Sequence, residues 1–296
     1  MSPDLPPVCD YEGSDYQSSF WDSGHRDYED RAEAIALKRL LPPNGKLLLE
    51  IGAGAGRNTP RYKNFDKIVL LDYSLSQLVQ AQERLGKNER YIYVNANVYR
   101  LPFVPGLFDA ATMIRTLHHL ANVPLALQQI RETLKPGAVF ILEYANKQNL
   151  KAIMRYIFHR QAWNPFDLEP IEFAALNFDF HPQSIRAWLK EAGFDLEKQL
   201  SVSHFRSALL KRIFPAAWLA VLDSLAQYTG DWWQLSPSVF TRSVARGETQ
   251  NASSGEFFRC PACWHYPLQE TTSAMKCPSC GRDWHIQDGI YLFREG

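Results

Sequence analysis

Between Leu47 and Tyr144, five short apolar runs (LLLEI, KIVLLD, RYIYVNA, FDAATMI and AVFILEY) alternate with stretches whose apolar residues recur at helical spacing. The runs are near-continuously apolar rather than alternating, so each predicts a strand covered on both faces. Gln77 to Leu85 and Val123 to Leu134 read as amphipathic helices, the second closed by Lys135-Pro136-Gly137. Asp27 to Leu41 reads as another, ahead of Pro42-Pro43. Strand–helix–strand repetition at this spacing requires right-handed crossovers. The expected fold is α/β, a doubly wound, mostly parallel sheet. Further on, a helix starts at Pro182 and runs through Trp188 to Gly193, and SVFTRSVA (238–245) reads as the final strand.

A chain of 296 residues suits one large domain and a smaller one. Hydrophobic residues at 46% and charged residues at 22% exclude a disordered or collagen-like chain. Basic and acidic residues number 32 each, without the excess of a dedicated nucleic-acid binder. Residues 1–26 form an acidic arm: the first 25 carry Asp4, Asp10, Glu12, Asp15 and Asp22 and no lysine or arginine. They lack the apolar core of a secretory signal. The most apolar long window, Ala208 to Ala226, is broken by Lys211, Arg212, Pro215 and Asp223, so no membrane span is expected. The expectation is a soluble, cytoplasmic protein. The large domain is assigned to 27–246, and the polar stretch RGETQNASSG places a linker at 247–256. Residues 257–296 form the small unit.

The first strand runs straight into Gly52-Ala53-Gly54-Ala55-Gly56-Arg57. Alternate glycines let backbone approach a ligand where a Cβ would collide, and a following helix offers unpaired N–H groups to an anion. Asp72 ends the next strand, where a carboxylate binds ribose hydroxyls in a βαβ nucleotide site. The dinucleotide fingerprint wants its third glycine where this chain has Arg57. The spacing Glu50-x-Gly52-x-Gly54-x-Gly56 instead resembles motif I of the class I, Rossmann-like S-adenosylmethionine-dependent methyltransferases. Asp72, Leu101-Pro102-Phe103, Phe108-Asp109, Leu117-His118-His119-Leu120 and Leu134-Lys135-Pro136-Gly137 follow in order. Together they resemble the ubiquinone-biosynthesis-type branch, over about residues 27 to 245, and that resemblance implies a doubly wound, mostly parallel seven-stranded sheet.

That resemblance implies residue roles. Glu50 would orient the methionine end of S-adenosylmethionine, with Gly52, Gly54 and Gly56 letting the backbone pass beneath it. Asp72 would hold the ribose hydroxyls, with Tyr73 beside the adenine. Asn97 stands where the family usually has an aspartate that accepts from the adenine amino group; an amide oxygen can also accept. The backbone of Val98 would serve the ring nitrogen. Arg115 joins this set because it sits at a strand's C-terminal end, where ligands bind in such sheets.

Methyl transfer is an in-line displacement, so the enzyme chiefly aligns the groups and excludes water. Ile114-Arg115-Thr116 replaces the Asn/Asp-Pro-Pro-Tyr motif of enzymes that methylate exocyclic or amide nitrogens. Cys9 alone lies outside the tail, which argues against cysteine addition to pyrimidines, and no aspartate cluster offers to hold magnesium. His118 and His119 read as packing residues, and no catalytic base is named. Residues 146–236 hold many aromatics and read as a lid or insertion over an apolar substrate, balanced against a simple cap on the core. Within them Lys147, Lys151, Arg155 and His159 recur every four residues. They form a basic stripe opposite Ile153, Met154, Ile157 and Phe158, read as a solvated face ahead of an anion-binding one.

Cys260-Pro261-Ala262-Cys263 and Cys277-Pro278-Ser279-Cys280 make two CxxC knuckles separated by 13 residues. Two such turns complete a closed tetrahedron around a structural zinc ion. The surrounding sequence resembles the small four-cysteine ribbon protein that activates tRNA, rRNA and translation-factor methyltransferases, here fused. Residues 256–296 carry Arg259, Lys276, Arg282 and Arg294 against Glu256, Glu270, Asp283, Asp288 and Glu295, a poor grip on RNA. The ribbon's Trp264, Tyr266, Trp284 and Ile290 suggest that it docks on its own methyltransferase domain. The reading is a methyltransferase of a small, apolar or aromatic metabolite. Its rivals are a methyltransferase of RNA or of a translation protein, and a non-catalytic cofactor-binding scaffold prompted by Asn97 and the absent base.

Overall fold

The computed structural model describes residues 5–14, 21, 26–248 and 251–294. Each apolar run becomes a parallel strand: β1 (Gly45–Ile51), β2 (Phe65–Asp72), β3 (Tyr91–Asn95), β4 (Phe108–Met113) and β5 (Leu134–Ala145). Their order, β3-β2-β1-β4-β5, reverses direction between β1 and β4, and ligands bind at that switch, above the strands' C-terminal ends. Alternate residues serve opposite faces. Leu49, Ile51, Val69 and Leu71 pack beneath α3 (Val123–Thr133) and α5 (Pro182–Glu191). Leu48, Ile68 and Leu70 pack beneath α1 (Asp27–Leu40), α2 (Leu75–Leu85) and α7 (Ala216–Ala226). Asp109 ties the strand starts together, accepting from the Lys46 and Leu47 amides at 2.9 and 2.8 Å and pairing with Lys135 at 2.7 Å.

Two antiparallel strands continue the sheet beyond β5: β9 (Ser238–Ala245), then β8 (Phe194–Val202). The sheet does not stop at seven strands; among the described residues it has eleven. The C-terminal segment supplies β10 (Gln269–Glu270), β11 (Ala274–Lys276), β12 (Asp283–Gln287) and β13 (Ile290–Leu292). β13 runs parallel to β3 with Ile290 opposite Tyr93 and Leu292 opposite Asn95. An edge strand carries a row of unpaired backbone groups, and β3 uses them on β13. Phe258, Trp284 and Phe293 accordingly share one core with Phe103 and Val94. Phe103 stacks on Phe258 at 5.9 Å, and the Arg259 guanidinium holds Glu132 and the Leu101 carbonyl while lying over Trp264.

After β5 come α4 (Leu150–Ile157), the small hairpin β6 (Ile171–Ala174) with β7 (Asn177–Asp179), and α6 (Ala208–Ile213). Among the described residues no helix is long and apolar enough to cross a membrane.

Candidate functional site

Above the C-terminal ends of β1, β2, β3 and β4 lie two adjoining compartments that share Ile51, Gly52, Gly54, Gln77 and Arg115 in their walls. The loop after β1 forms the floor. Gly52 has φ +68°, and a Cβ there would fall 2.1 Å from Thr116 Oγ1, so the loop from β4 can lie across it only because the side chain is missing. Gly54 has φ +53°, a Cβ there would meet only Gln77 Oε1 at 3.8 Å, and its N–H donates to Asp72 Oδ2 at 2.7 Å.

Asp72 lines the larger compartment with Tyr73, Ala96, Val98, His119 and Leu120. Its carboxylate also accepts from the Ser74 amide at 2.9 Å. Burial raises its pKa to about 6 against those backbone donors. With the Tyr73 amide also donating, the carboxylate, which offers about four acceptor sites in all, keeps capacity for a ligand. Glu50 lines the smaller compartment, accepting from Thr59 Oγ1 at 2.6 Å. Burial raises its pKa to about 7, only partly offset by the Thr59 and Tyr62 hydroxyls and by Arg57 and Arg61. The neighbouring Glu33 behaves oppositely. It is also buried, yet Arg115 and Arg57 outweigh that and hold it near 2. Glu50 is thus a buried carboxylate with no salt bridge among the described residues, facing a cavity. A ligand cation would complete it.

The other expected residues are placed as follows. Val98 and Tyr73 reach the larger compartment. Asn97 does not; its side chain accepts from the Tyr99 amide at 3.0 Å and lines a separate surface cleft. Arg115 borders both compartments, but its Nε donates to Glu33 at 2.6 Å, and its own N–H, at φ +60°, donates to Glu143 at 2.9 Å. Gly56 lies outside both compartments and packs on α2, where a Cβ would meet Leu85 at 2.8 Å. The two compartments are lined by residues between 8 and 120; the segment 146–236 approaches them through the Leu176 carbonyl, 3.3 Å from Nδ1 of the lining His119.

The N-terminal arm covers them, which its composition did not foretell. Val8 bridges to Leu120, the Tyr11 hydroxyl meets His119 Nε2 at 3.0 Å, and Cys9 lines the cavity. Glu12 holds Ser74 Oγ and the Ser76 amide at the start of α2. Asp10 pairs with Arg294 at 2.7 Å, and that guanidinium lies 3.8 Å from the centre of the Tyr73 ring. The arm's remaining acids, Asp4, Asp15 and Asp22, lie outside the described residues.

A second polar cluster sits beyond Arg115. His118 Nδ1, Tyr144 Oη and two nitrogens of Arg206 are inaccessible and have no hydrogen-bond partner among the described residues. The charges of Arg115 and Glu143 act on Arg206, and those of Arg206 and Glu143 act on Asp179. Burial, then the neighbouring His119, Arg115 and Arg206, hold His118 neutral. Tyr144 stands near the end of β5, whereas His118 comes from the turn after β4 and Arg206 from the segment between β8 and α6, far apart in sequence.

In the C-terminal segment the four cysteine sulfurs lie within 4.8 Å of one another, with Cys260–Cys280 at 3.7 Å and Cys263–Cys277 at 3.5 Å. These separations are too long for disulfides of about 2.05 Å. They approach the edge of about 3.8 Å that four sulfurs describe around zinc at about 2.3 Å.

Residues 49–142 match the model of the family described as "Methyltransferase domain". They are a class I, S-adenosylmethionine-dependent methyltransferase domain. The chain is 27% identical over 168 residues to a ubiquinone/menaquinone biosynthesis C-methyltransferase of Pseudomonas savastanoi, covering 51% of this chain and 66% of that one. It is 25% identical over 199 residues to a demethylmenaquinone methyltransferase of Clavibacter sepedonicus, covering 63% and 81%. Thus the chain spans slightly less than two thirds of the Pseudomonas relative. Among solved structures, the complex between the Haloferax volcanii Trm112 methyltransferase activator and a methyltransferase shares the fold, with TM-score 0.55 at 16% identity. It covers 78% of this chain and 96% of the matched one. A Listeria monocytogenes S-adenosylmethionine-dependent methyltransferase does likewise, with TM-score 0.55 at 14% identity, over 74% and 99%. Residues 49–142 supply most of the walls of both compartments, the N-terminal arm adds Val8, Cys9, Tyr11 and Trp21, and the C-terminal cysteine segment completes the edge of the sheet.

Proposed function

We propose that the protein transfers a methyl group from S-adenosylmethionine to a small, apolar or aromatic metabolite. One observation carries the cofactor reading: two buried carboxylates, Glu50 and Asp72, face adjoining compartments at the switch point. Asp72 has acceptor capacity left for ribose hydroxyls, and Glu50 lacks a cation. In this reading Gly52, Gly54 and Gly56 shape the loop beneath the cofactor. Glu50 takes the ammonium of the methionine end, Asp72 the ribose, and Val98 and Tyr73 flank the adenine. Asn97 supports the adenine indirectly by fixing the turn that carries Val98. Bound S-adenosylmethionine supplies an electrophilic methyl on a sulfonium. The arm from Val8 to Tyr11 excludes water from it, and Glu33 holds Arg57 and Arg115 in place.

The cluster of His118, Tyr144 and Arg206 supports an acceptor that carries an oxygen, because its unpartnered donors need an acceptor when buried. Neutral His118 offers such a group one ring N–H and one bare ring nitrogen. The C-terminal unit, in the same reading, holds structural zinc and docks on the methyltransferase domain. Its basic side chains support a small acceptor over RNA: Arg259 pairs with Glu132, Arg294 with Asp10 and Lys276 with Asp283. Cations engaged internally release few counterions from nucleic acid. The test is transfer of labelled methyl from S-adenosylmethionine into a cell extract. Label in the low-molecular-weight fraction supports the proposal; label confined to RNA or protein, or none, overturns it.

A further inference from the structure

Most of the large apolar side chains that stand exposed among the described residues fall between Leu150 and Leu235. The expected apolar face of the basic-striped helix is not buried: on α4, Met154 and Ile157 face solvent, and Phe158 just beyond it is 59% exposed. On α7 and the turn after it, Trp218 is 67%, Leu225 69% and Trp232 79% exposed. These segments adjoin, because the Leu150 amide at the start of α4 donates to the Leu235 carbonyl at 2.8 Å. A monomer rarely leaves so many large apolar side chains in water within neighbouring segments without a use for them.

Charge narrows that use. Lys151, Arg155, Arg160 and Arg212 are exposed on or beside the same helices and make no ion pair among the described residues. α4, α6 and α7 contain a single acid, Asp223, which is buried against Tyr28 and His204. Asp231, next to Trp232, is exposed, but its carboxylate accepts the Gln199 amide. A self-complementary dimer would bring the basic flanks of two copies together. Exposed tryptophan and leucine rimmed by lysine and arginine are the chemistry of a helix lying in a membrane interface.

We propose that α4, α6, α7 and the turn following α7 dock on the surface of an anionic lipid bilayer, without spanning it. The tryptophans sit at headgroup depth, and the four basic side chains meet lipid phosphates. The full-length protein is sedimented with phosphatidylcholine vesicles, with and without phosphatidylglycerol. Binding is expected on the anionic vesicles only and weakens as salt rises. Each basic group near such a surface contributes about fivefold in affinity, so reversing two (K151E with R155E) should weaken binding at least tenfold. W218E with W232E should abolish it. All four positions are exposed, so both double variants should keep the wild-type thermal midpoint. Equal sedimentation of wild type and variants overturns the proposal. So does equal binding to neutral vesicles. A protein that ignores vesicles but forms a dimer broken by W218E also overturns it.

Discussion

Glu50 and Asp72 hold their protons well above the range usual for carboxylates, and both shifts come chiefly from burial. A raised folded-state pKa means that the folded protein binds the proton more tightly than the unfolded chain. Ionising Glu50 therefore lowers stability as pH climbs from its ordinary 4.5 towards about 7, and the full penalty is present above that. Glu50→Gln keeps the Thr59 hydrogen bond and removes the charge. At pH 8 it should raise the thermal midpoint of the free protein by about 3 °C or more, equivalent to roughly 1 kcal/mol, and change little at pH 5. The same substitution should weaken S-adenosylmethionine, because the ammonium loses its counter-charge. Thermal scans at both pH values, with titration calorimetry, check this pair of opposite effects. At this scale the glycines, Glu50 and Asp72 were legible, since adjacent residues on one strand–loop–helix unit carry the signal. Cys9, Tyr11, His118 and Arg206 were not. They reach the site from loops far apart in sequence, and nothing local distinguishes them from packing residues.

Two elements hold the pocket shut: the arm, residues 5–14, and the end of the C-terminal segment. They meet at Arg294, which contacts both Asp10 and the Tyr73 ring. Both partners of the ion pair are partly exposed, so it is worth little alone, and the contact with the ring adds a similar amount. Arg294→Ala should weaken cofactor binding by about threefold while the arm becomes more open to limited proteolysis near Tyr11. Cleavage unchanged from wild type would separate the two elements. The five central strands, α1, α2, α3, α5 and β9 were legible from periodicity. β8 was not: its sequence, FDLEKQLSV, interrupts its apolar residues with Glu197 and Lys198 and carries a bulge between Leu196 and Lys198. An edge strand needs no continuous apolar run. α6 and α7 escaped because most of their large apolar side chains point outward while only Leu219 and Ala220 of α7 are buried, which breaks the link between periodicity and burial.

The whole molecule behaves in this account as one cooperative body, although its sequence reads as two. A 40-residue unit has too small a core to fold unaided, and zinc would supply the missing stability. Its aromatics are also part of the large domain's core. Phe258→Ala, which removes a ring packed on Phe103 and Phe293, should cost about 3–5 kcal/mol. Cys277→Ser or chelation should lower the midpoint of the entire protein in calorimetry. An upper transition left unmoved would show two independent units. The polar run around Gly247 reads as a linker in sequence, but β-strand addition to the edge of β3 was not legible. Backbone pairing leaves almost no trace in side-chain pattern, and Ile290-Tyr291-Leu292 is too short to announce a strand. The central claim is that the compartments above β1 and β2 bind S-adenosylmethionine through Asp72, whose raised pKa of about 6 makes that binding pH-dependent. Calorimetric titration of wild type and Asp72→Ala with S-adenosylmethionine tests it most directly. The account predicts wild-type affinity that declines as pH falls below about 6, and a variant, still folded, that binds at least tenfold more weakly at pH 7.5, since charge-assisted hydrogen bonds contribute about 1.5–3 kcal/mol each. Equal affinity in the two proteins, or a preference for a nicotinamide dinucleotide, would contradict it.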